Sequence, residues 1–205
     1  MPSNLIIDLR PSSTLAYVVG VVLGDGSIWH PRPHEYTIGL RVKDEEFASA
    51  FLYALQHIGL GAKTMWCSQE AGREYHVVRA RGKALYTYLR PMKDDPSCAT
   101  EIALQYPRDF LRGMYDSEGS LHTDSTRYGY RHIQLPSTDR RILEVCGACL
   151  DSLEIPYYFY TYGRKPNSFN PHPFVVHKLA LNRQCAIDRF LLEVGSSIPR
   201  KRGGT

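Results

Sequence analysis

Two stretches of this 205-residue chain repeat one design. Leu15 to Ser27 reads LAYVVGVVLGDGS, and Phe110 to Ser120 reads FLRGMYDSEGS. Gly20, Gly24, Asp25 and Gly26 align with Gly113, Ser117, Glu118 and Gly119, always 93 positions apart. Each stretch suits a buried helix with small residues four apart, closed by an acid and then glycine. Small residues at that spacing let two helices approach until their backbones nearly touch. If the two copies face each other, the helices pack about a pseudo-two-fold axis, and Asp25 and Glu118 emerge together.

A helix C-terminus is a poor place for an acid, because it already carries about half a negative charge. Two carboxylates 4 Å apart repel by roughly 4 kcal/mol at an effective dielectric near 20. A divalent cation reverses the sign of each of these effects. An oxygen-rich, negative site with no thiol or imidazole suits Mg²⁺. A pair of core helices with acids in solvated turns accounts for either copy alone, but poorly for two copies in register.

The rest of the chain follows the same duplication. Pro11 to Thr14 open the first helix, which ends near Gly24. Strands are expected near Ser27–His30 and Tyr36–Val42, a helix from Asp44 to about Ile58, and strands near Ala62–Cys67 and Tyr75–Arg81. A helix from about Lys83 to Pro91 closes the first unit. In the second unit Pro107 starts a helix, with strands near Ser120–Thr123 and Tyr130–Leu135. Asp139 then caps a helix to about Leu153, as Asp44 is expected to do. Strands near Tyr157–Tyr162 and Phe174–Leu181 and a helix over Gln184–Val194 complete it. The fold class is α+β, two αββαββα repeats of about 95 residues. Residues 1–92 form the first repeat, 93–106 a linker and 107–205 the second.

Composition narrows the functional classes. At 43% hydrophobic and 22% charged, the chain reads as an ordinary globular protein. No apolar run approaches the roughly 20 residues of a membrane span. The start MPSNLIIDLRPSS lacks the pattern of a secretory leader, so an intracellular protein, cytoplasmic or nucleoid-associated, is expected. Five cysteines, an odd number, argue against a disulfide framework. The lone CxxC at Cys146 and Cys149 is expected to pack inside a helix. The net charge of +4 is compatible with a polyanionic partner but too small to demand one.

The paired motifs resemble those of LAGLIDADG homing endonucleases in their monomeric two-repeat form. VKDEEF at Val42–Phe47 and VRARGKALYTYL at Val78–Leu89 strengthen the likeness, toward archaeal intron-encoded members. The resemblance implies that Asp25 and Glu118 are metal-binding acids and that the carbonyls of Gly24 and Ser117 complete the coordination. It implies a basic residue at Lys43 near the reactive phosphates. Thr138 stands at the equivalent place in the second repeat, so Lys178 becomes the candidate there. The implied cofactor is Mg²⁺, with Ca²⁺ substituting without supporting cleavage.

The resemblance further implies that the two antiparallel sheets form a saddle over the major groove of double-stranded DNA. Strand alternation assigns the faces. With Ile38, Leu40 and Val42 inward, Thr37, Arg41 and Lys43 lie outward, and Tyr75, Arg79 and Arg81 share a face. His132 and Gln134 face outward in the second repeat. Trp29, Arg32 and Glu35 near the first hairpin tip join the expected DNA contacts. Arg164 and Lys165, in a loop with Asn167, Asn170 and His172, and the basic tail Arg200–Arg202 are read either as further DNA contacts or, equally, as solvated segments. The expected activity is metal-dependent hydrolysis of one phosphodiester on each strand by a monomer. Alternatives are an intron-RNA maturase on the same scaffold and a DNA-binding regulator with an idle site.

Overall fold

The computed structural model describes residues 7–61, 65–70, 72–124, 130–166 and 171–203. Its central helix, α1 (Ser13–Leu23), contradicts local propensity. Val18, Val19, Val21 and Val22 are β-branched, and Gly20 costs about 1 kcal/mol against alanine in a helix interior. Burial wins, because every residue from Leu15 to Leu23 is enclosed. Ser12 caps the start by accepting the Leu15 N–H at 3.2 Å.

The first repeat continues with β1 (Ser27–Trp29), β2 (Thr37–Val42), α2 (Glu45–His57), β3 (Met65–Glu70), β4 (Arg73–Arg81) and α3 (Lys83–Asp94). After a 3-10 turn at Pro96–Ala99 comes α4 (Thr100–Gln105). The second repeat comprises α5 (Pro107–Glu118), β5 (Ser120–Asp124), β6 (Tyr130–Ser137), α6 (Arg140–Ser152), β7 (Tyr158–Arg164), β8 (Phe174–Leu181) and α7 (Gln184–Glu193). The two sheets share one order, β1-β2-β4-β3 and β5-β6-β8-β7. All neighbouring strands are antiparallel.

The inward faces are those the alternation predicts. Ile38, Leu40, Val78 and Ala80 are buried in the first sheet, and Ile133, Leu135, Leu179 and Leu181 in the second. They join one core that runs through both repeats by way of α1 and α5. Cys146 and Cys149 are free, buried thiols within that core.

Local outcomes differ from expectation at several points. Helix α3 passes through Pro91 to Asp94 instead of stopping there. Residues 93–106 are largely helical, with Pro96, Ala99, Ile102 and Ala103 buried against the core. Asp139 caps α6, accepting the Arg141 N–H at 3.0 Å, whereas Asp44 makes no capping bond to α2. The Asp44 carboxylate is turned to Arg200, which donates to it at 3.1 and 2.9 Å. The expected strand at Ala62–Cys67 begins at Met65, and residues 62–64 lie outside the described residues.

Candidate metal centre and nucleic-acid interface

The contact between α1 and α5 is made by backbone. A Cβ placed on Gly20 would strike the carbonyl oxygen of Phe110, and one on Gly113 would lie 2.8 Å from the Val21 nitrogen. One on Gly24 would run into the Ser117 side chain and reach Glu118 Cγ at 3.4 Å. The small residues therefore set the distance between the helix ends. The glycines after the acids serve the same economy of space. The Gly26 N–H bonds to Val21 O at 2.9 Å, and the Gly119 N–H bonds to Tyr115 O at 3.0 Å. A Cβ at either position would collide with the helix just left behind.

Asp25 and Glu118 thus emerge at adjoining helix ends, Asp25 open to solvent and Glu118 half-buried. Partial desolvation is the largest effect on both carboxyls and raises them above their ordinary range, and the Asp25 charge raises Glu118 further. Two lysines oppose this. Lys201 and Lys93 lower both acids, while burial lowers the two ammonium groups, Lys201 to about 8. Lys43 stands just past the end of β2 and Lys178 within β8, with ammonium groups 6.0 Å from the Tyr75 ring and 5.3 Å from the Tyr162 ring. Sequence reasoning missed Lys93 and Lys201. One lies in a stretch expected to be a linker, and the other lies in a tail expected to be a phosphate contact.

That tail is packed into the site. Lys201 is buried, and its ammonium donates to the carbonyls of Tyr115 and Asp116 at 2.9 and 2.7 Å. The Tyr115 hydroxyl donates back to the Lys201 carbonyl at 3.0 Å. A cation there offsets the negative end of α5. Asp116, also buried, accepts from the Tyr17 hydroxyl at 3.0 Å and from the hydroxyls of Ser196 and Ser197. Arg200 holds Asp44, and Arg202 donates to the carbonyls of Ser196 and Ser197. The segment Ser196–Arg202 therefore clasps α5 to the first repeat, with Arg200 and Arg202 still exposed at the surface.

The donor set fits a hard divalent cation. It offers two carboxylates beside the carbonyls of Gly24 and Ser117, which sit where a helix end leaves carbonyls without intrahelical partners. Among the described residues no group of three or more His, Cys, Asp or Glu is assembled. Water and phosphate oxygens would have to complete the coordination, as Mg²⁺ prefers.

The outer face of the first sheet carries guanidinium groups laid on aromatic rings. Arg41 stacks 4.1 Å from the Tyr75 ring centroid and Arg79 5.5 Å from that of Trp29. The Trp29 ring fills the space left by Gly39, so this tryptophan packs locally. Thr37, expected on the open face, is buried between Trp29 and Arg81, its neighbours across the sheet. Arg81 is ion-paired to Glu35 at 3.3 Å, and Arg32 is exposed. The second sheet repeats this at one end, where Arg164 lies 5.7 Å from the Tyr162 ring centroid. His132 stacks on His122 at 4.9 Å, Gln134 is half-buried, and Tyr158 and Tyr160 are exposed. Arg164 and Lys165 are exposed at one end of this sheet, while Asn167 and Asn170 lie outside the described residues.

The comparisons with known proteins agree with this architecture. Residues 14–94 match the WhiA LAGLIDADG-like domain, and residues 105–195 match a LAGLIDADG-like domain. The chain is a two-repeat protein of the LAGLIDADG fold. Among solved structures, the homing endonuclease I-DmoI in complex with DNA and Ca matches with a TM-score of 0.62 at 17% identity, over 93% of this chain and 95% of that one. Full-length WhiA from Thermatoga maritima matches with a TM-score of 0.60 at 15% identity, over 96% of this chain and 59% of that one. Two uncharacterised proteins of Methanocaldococcus jannaschii are 29% and 32% identical over 96% and 75% of this chain. The chain spans 71% of the length of the first and 59% of the second. Archaeal kinship fits the likeness already present in the sequence.

Proposed function

We propose that this protein is a site-specific endonuclease that hydrolyses both strands of a long double-stranded DNA target, using Mg²⁺ at Asp25 and Glu118. The single observation that carries the proposal is the acid pair itself. Two carboxylates emerge at abutting helix ends, each with its proton affinity raised even with Lys93 and Lys201 nearby, and a divalent cation would favour their charged forms. I-DmoI, whose fold it shares, has been crystallised with DNA and with Mn, Mg and Ca.

Bound Mg²⁺ would activate water and stabilise charge on the phosphate and the departing oxygen. The protein's own residues do the remaining work. Asp25 and Glu118 hold the cation, one from each repeat, so the two strands are presented to one composite centre. Gly20, Gly24, Gly113 and Ser117 keep the acids close. Lys93 and Lys201 temper the repulsion between the acids. Lys43 and Lys178 reach phosphates from the sheets. One chain supplies both acids, so the active form is a monomer.

The test is to select bound duplexes from a randomised pool in Ca²⁺ and then offer the selected site with Mg²⁺. Double-strand cleavage by the native protein, lost in Asp25→Asn and Glu118→Gln while binding persists, is the expected outcome. The match of residues 14–94 to the WhiA domain favours a second reading, a DNA-binding regulator on this scaffold with idle acids. Salt-sensitive binding without metal-dependent nicking would establish it. The intron-RNA alternative draws no support from these relatives.

A further inference from the structure

A groove runs along one side of α2, walled by helices and by the segment that follows α7. Its larger part, a cavity of about 630 Å³, lies between α2 and the end of α7, with Tyr17 and Arg112 in its lining. A second cavity of about 480 Å³ continues it toward the start of α2, and the two share Ala50, Tyr53, Ser197 and Arg202. From Glu45 to His57 the groove follows the whole of α2, roughly 18 Å at 1.5 Å per residue. Its lips are apolar. Leu192 is 86% exposed and Tyr53 68%, the two most exposed large hydrophobic side chains among the described residues. Apolar groups left open together inside a polar rim mark an interaction surface.

We propose that this groove receives a helix of another protein, about three turns long, with an apolar stripe and a basic end. An occupant of that length reaches Tyr53, Leu192 and both ends of the groove at once. Ala50 and Ala54 share one face of α2 between the lips, where their small side chains leave room for a second helix. Charge sets the direction. Glu45 and Glu46 are exposed at one end, where Arg202 already gives its Nε and one amino group to the carbonyls of Ser196 and Ser197. At the other end Arg112 lies 3.5 Å from the Asp109 carboxylate and donates to the Val194 carbonyl. The negative excess therefore sits at the Glu45 end, and a lysine or arginine of the partner meets it there. Such a helix would touch α2 of the first repeat and both α7 and the clasp of the second, leaving the two sheets clear.

The experiment selects displayed helical peptides of about 15 residues, enough to span the groove, on the full chain. Enriched peptides should carry apolar residues at i, i+3 or i+4 and i+7, with lysine or arginine at one end. Fluorescence anisotropy then compares the native protein with variants whose circular dichroism is unchanged. Tyr53→Asp and Leu192→Asp should each weaken binding roughly tenfold or more, as loss of an interface anchor does. Leu104→Asp, exposed on α4 outside the groove, should leave binding unchanged. Glu45→Lys combined with Glu46→Lys should reverse the preference, so that reselection enriches acids at that end. The proposal is overturned if no enriched peptide depends on Tyr53 and Leu192, or if the charge reversal leaves the preference as it was. Sedimentation showing a native dimer that Leu192→Asp dissociates also overturns it, by giving the groove to a second copy of the chain.

Discussion

The backbone of Gly20 lies directly against that of Gly113, with no side chain between the two helices. This contact joins the repeats and fixes where Asp25 and Glu118 emerge. A methyl group at Gly20 would meet the Phe110 carbonyl and the Met114 nitrogen, and neither can swing aside as a side chain would. Gly20→Ala should therefore cost about 1–3 kcal/mol or more, as overpacking does. Urea denaturation measures the loss, and cleavage should fall with it because the acids are forced apart. Unchanged stability would show that the helices separate freely.

Asp25→Asn and Glu118→Gln should act in the opposite sense on stability. Both carboxyls have folded-state proton affinities above their unfolded values, so their favourable contribution is present at low pH and is lost as pH rises through the folded value. Without metal, the native protein should lose stability as pH rises through the window just above the ordinary carboxylate range. Each substitution should flatten that dependence and raise the melting temperature at neutral pH. Mg²⁺ should stabilise the native protein and leave the double substitution unaffected. Melting curves with and without Mg²⁺ across pH 4–8, a window set by those reference values, check all of this.

Lys201→Met keeps the length of the side chain and removes its two hydrogen bonds to α5. Leaving buried carbonyls unsatisfied costs about 1–3 kcal/mol. Lys201 also holds its proton less firmly when folded, its value falling from 10.5 to about 8. Between those values the unfolded chain binds more protons, so this residue's contribution makes stability rise with pH there. Lys201→Met should be less stable near neutral pH and should lack that component. Denaturant titrations at pH 7 and 9 distinguish the two proteins.

Two acids of the clasp should differ widely in weight. Asp116 is buried and serves three hydroxyls, so Asp116→Ala should cost about 3–5 kcal/mol, as breaking a buried network does. Asp44 pairs with an Arg200 side chain that is 67% exposed, and such pairs are worth about 0–1 kcal/mol. A double-mutant cycle on Asp44 and Arg200 should return a coupling within that range. A much larger value would mean that the clasp depends on this pair.

Much of the candidate site was legible because it is written twice. The 93-residue spacing of Gly20 and Gly113, and of Asp25 and Glu118, already pairs the helices and the acids. Sheet faces were equally readable, since Ile38, Leu40, Ile133 and Leu135 alternate with polar neighbours. Lys93 and Lys201 were not legible, because neither has a counterpart at the repeat spacing and neither stands near the acids in sequence. Asp44 looked like a helix cap because its neighbours satisfy the local rule, and only a residue 156 positions away claims its carboxylate.

What the sequence by itself determined is the set of relations that repetition and periodicity encode: two units, their inward faces, and a glycine-lined helix pair ending in acids. These depend on spacing along the chain, which is visible without coordinates. Tertiary structure alone decided which cations accompany the acids, that Ser196–Arg202 is a clasp, and that Trp29 fills the space over Gly39. Those outcomes depend on closures between distant segments, where burial and hydrogen-bond satisfaction select one partner among many chemically equivalent ones.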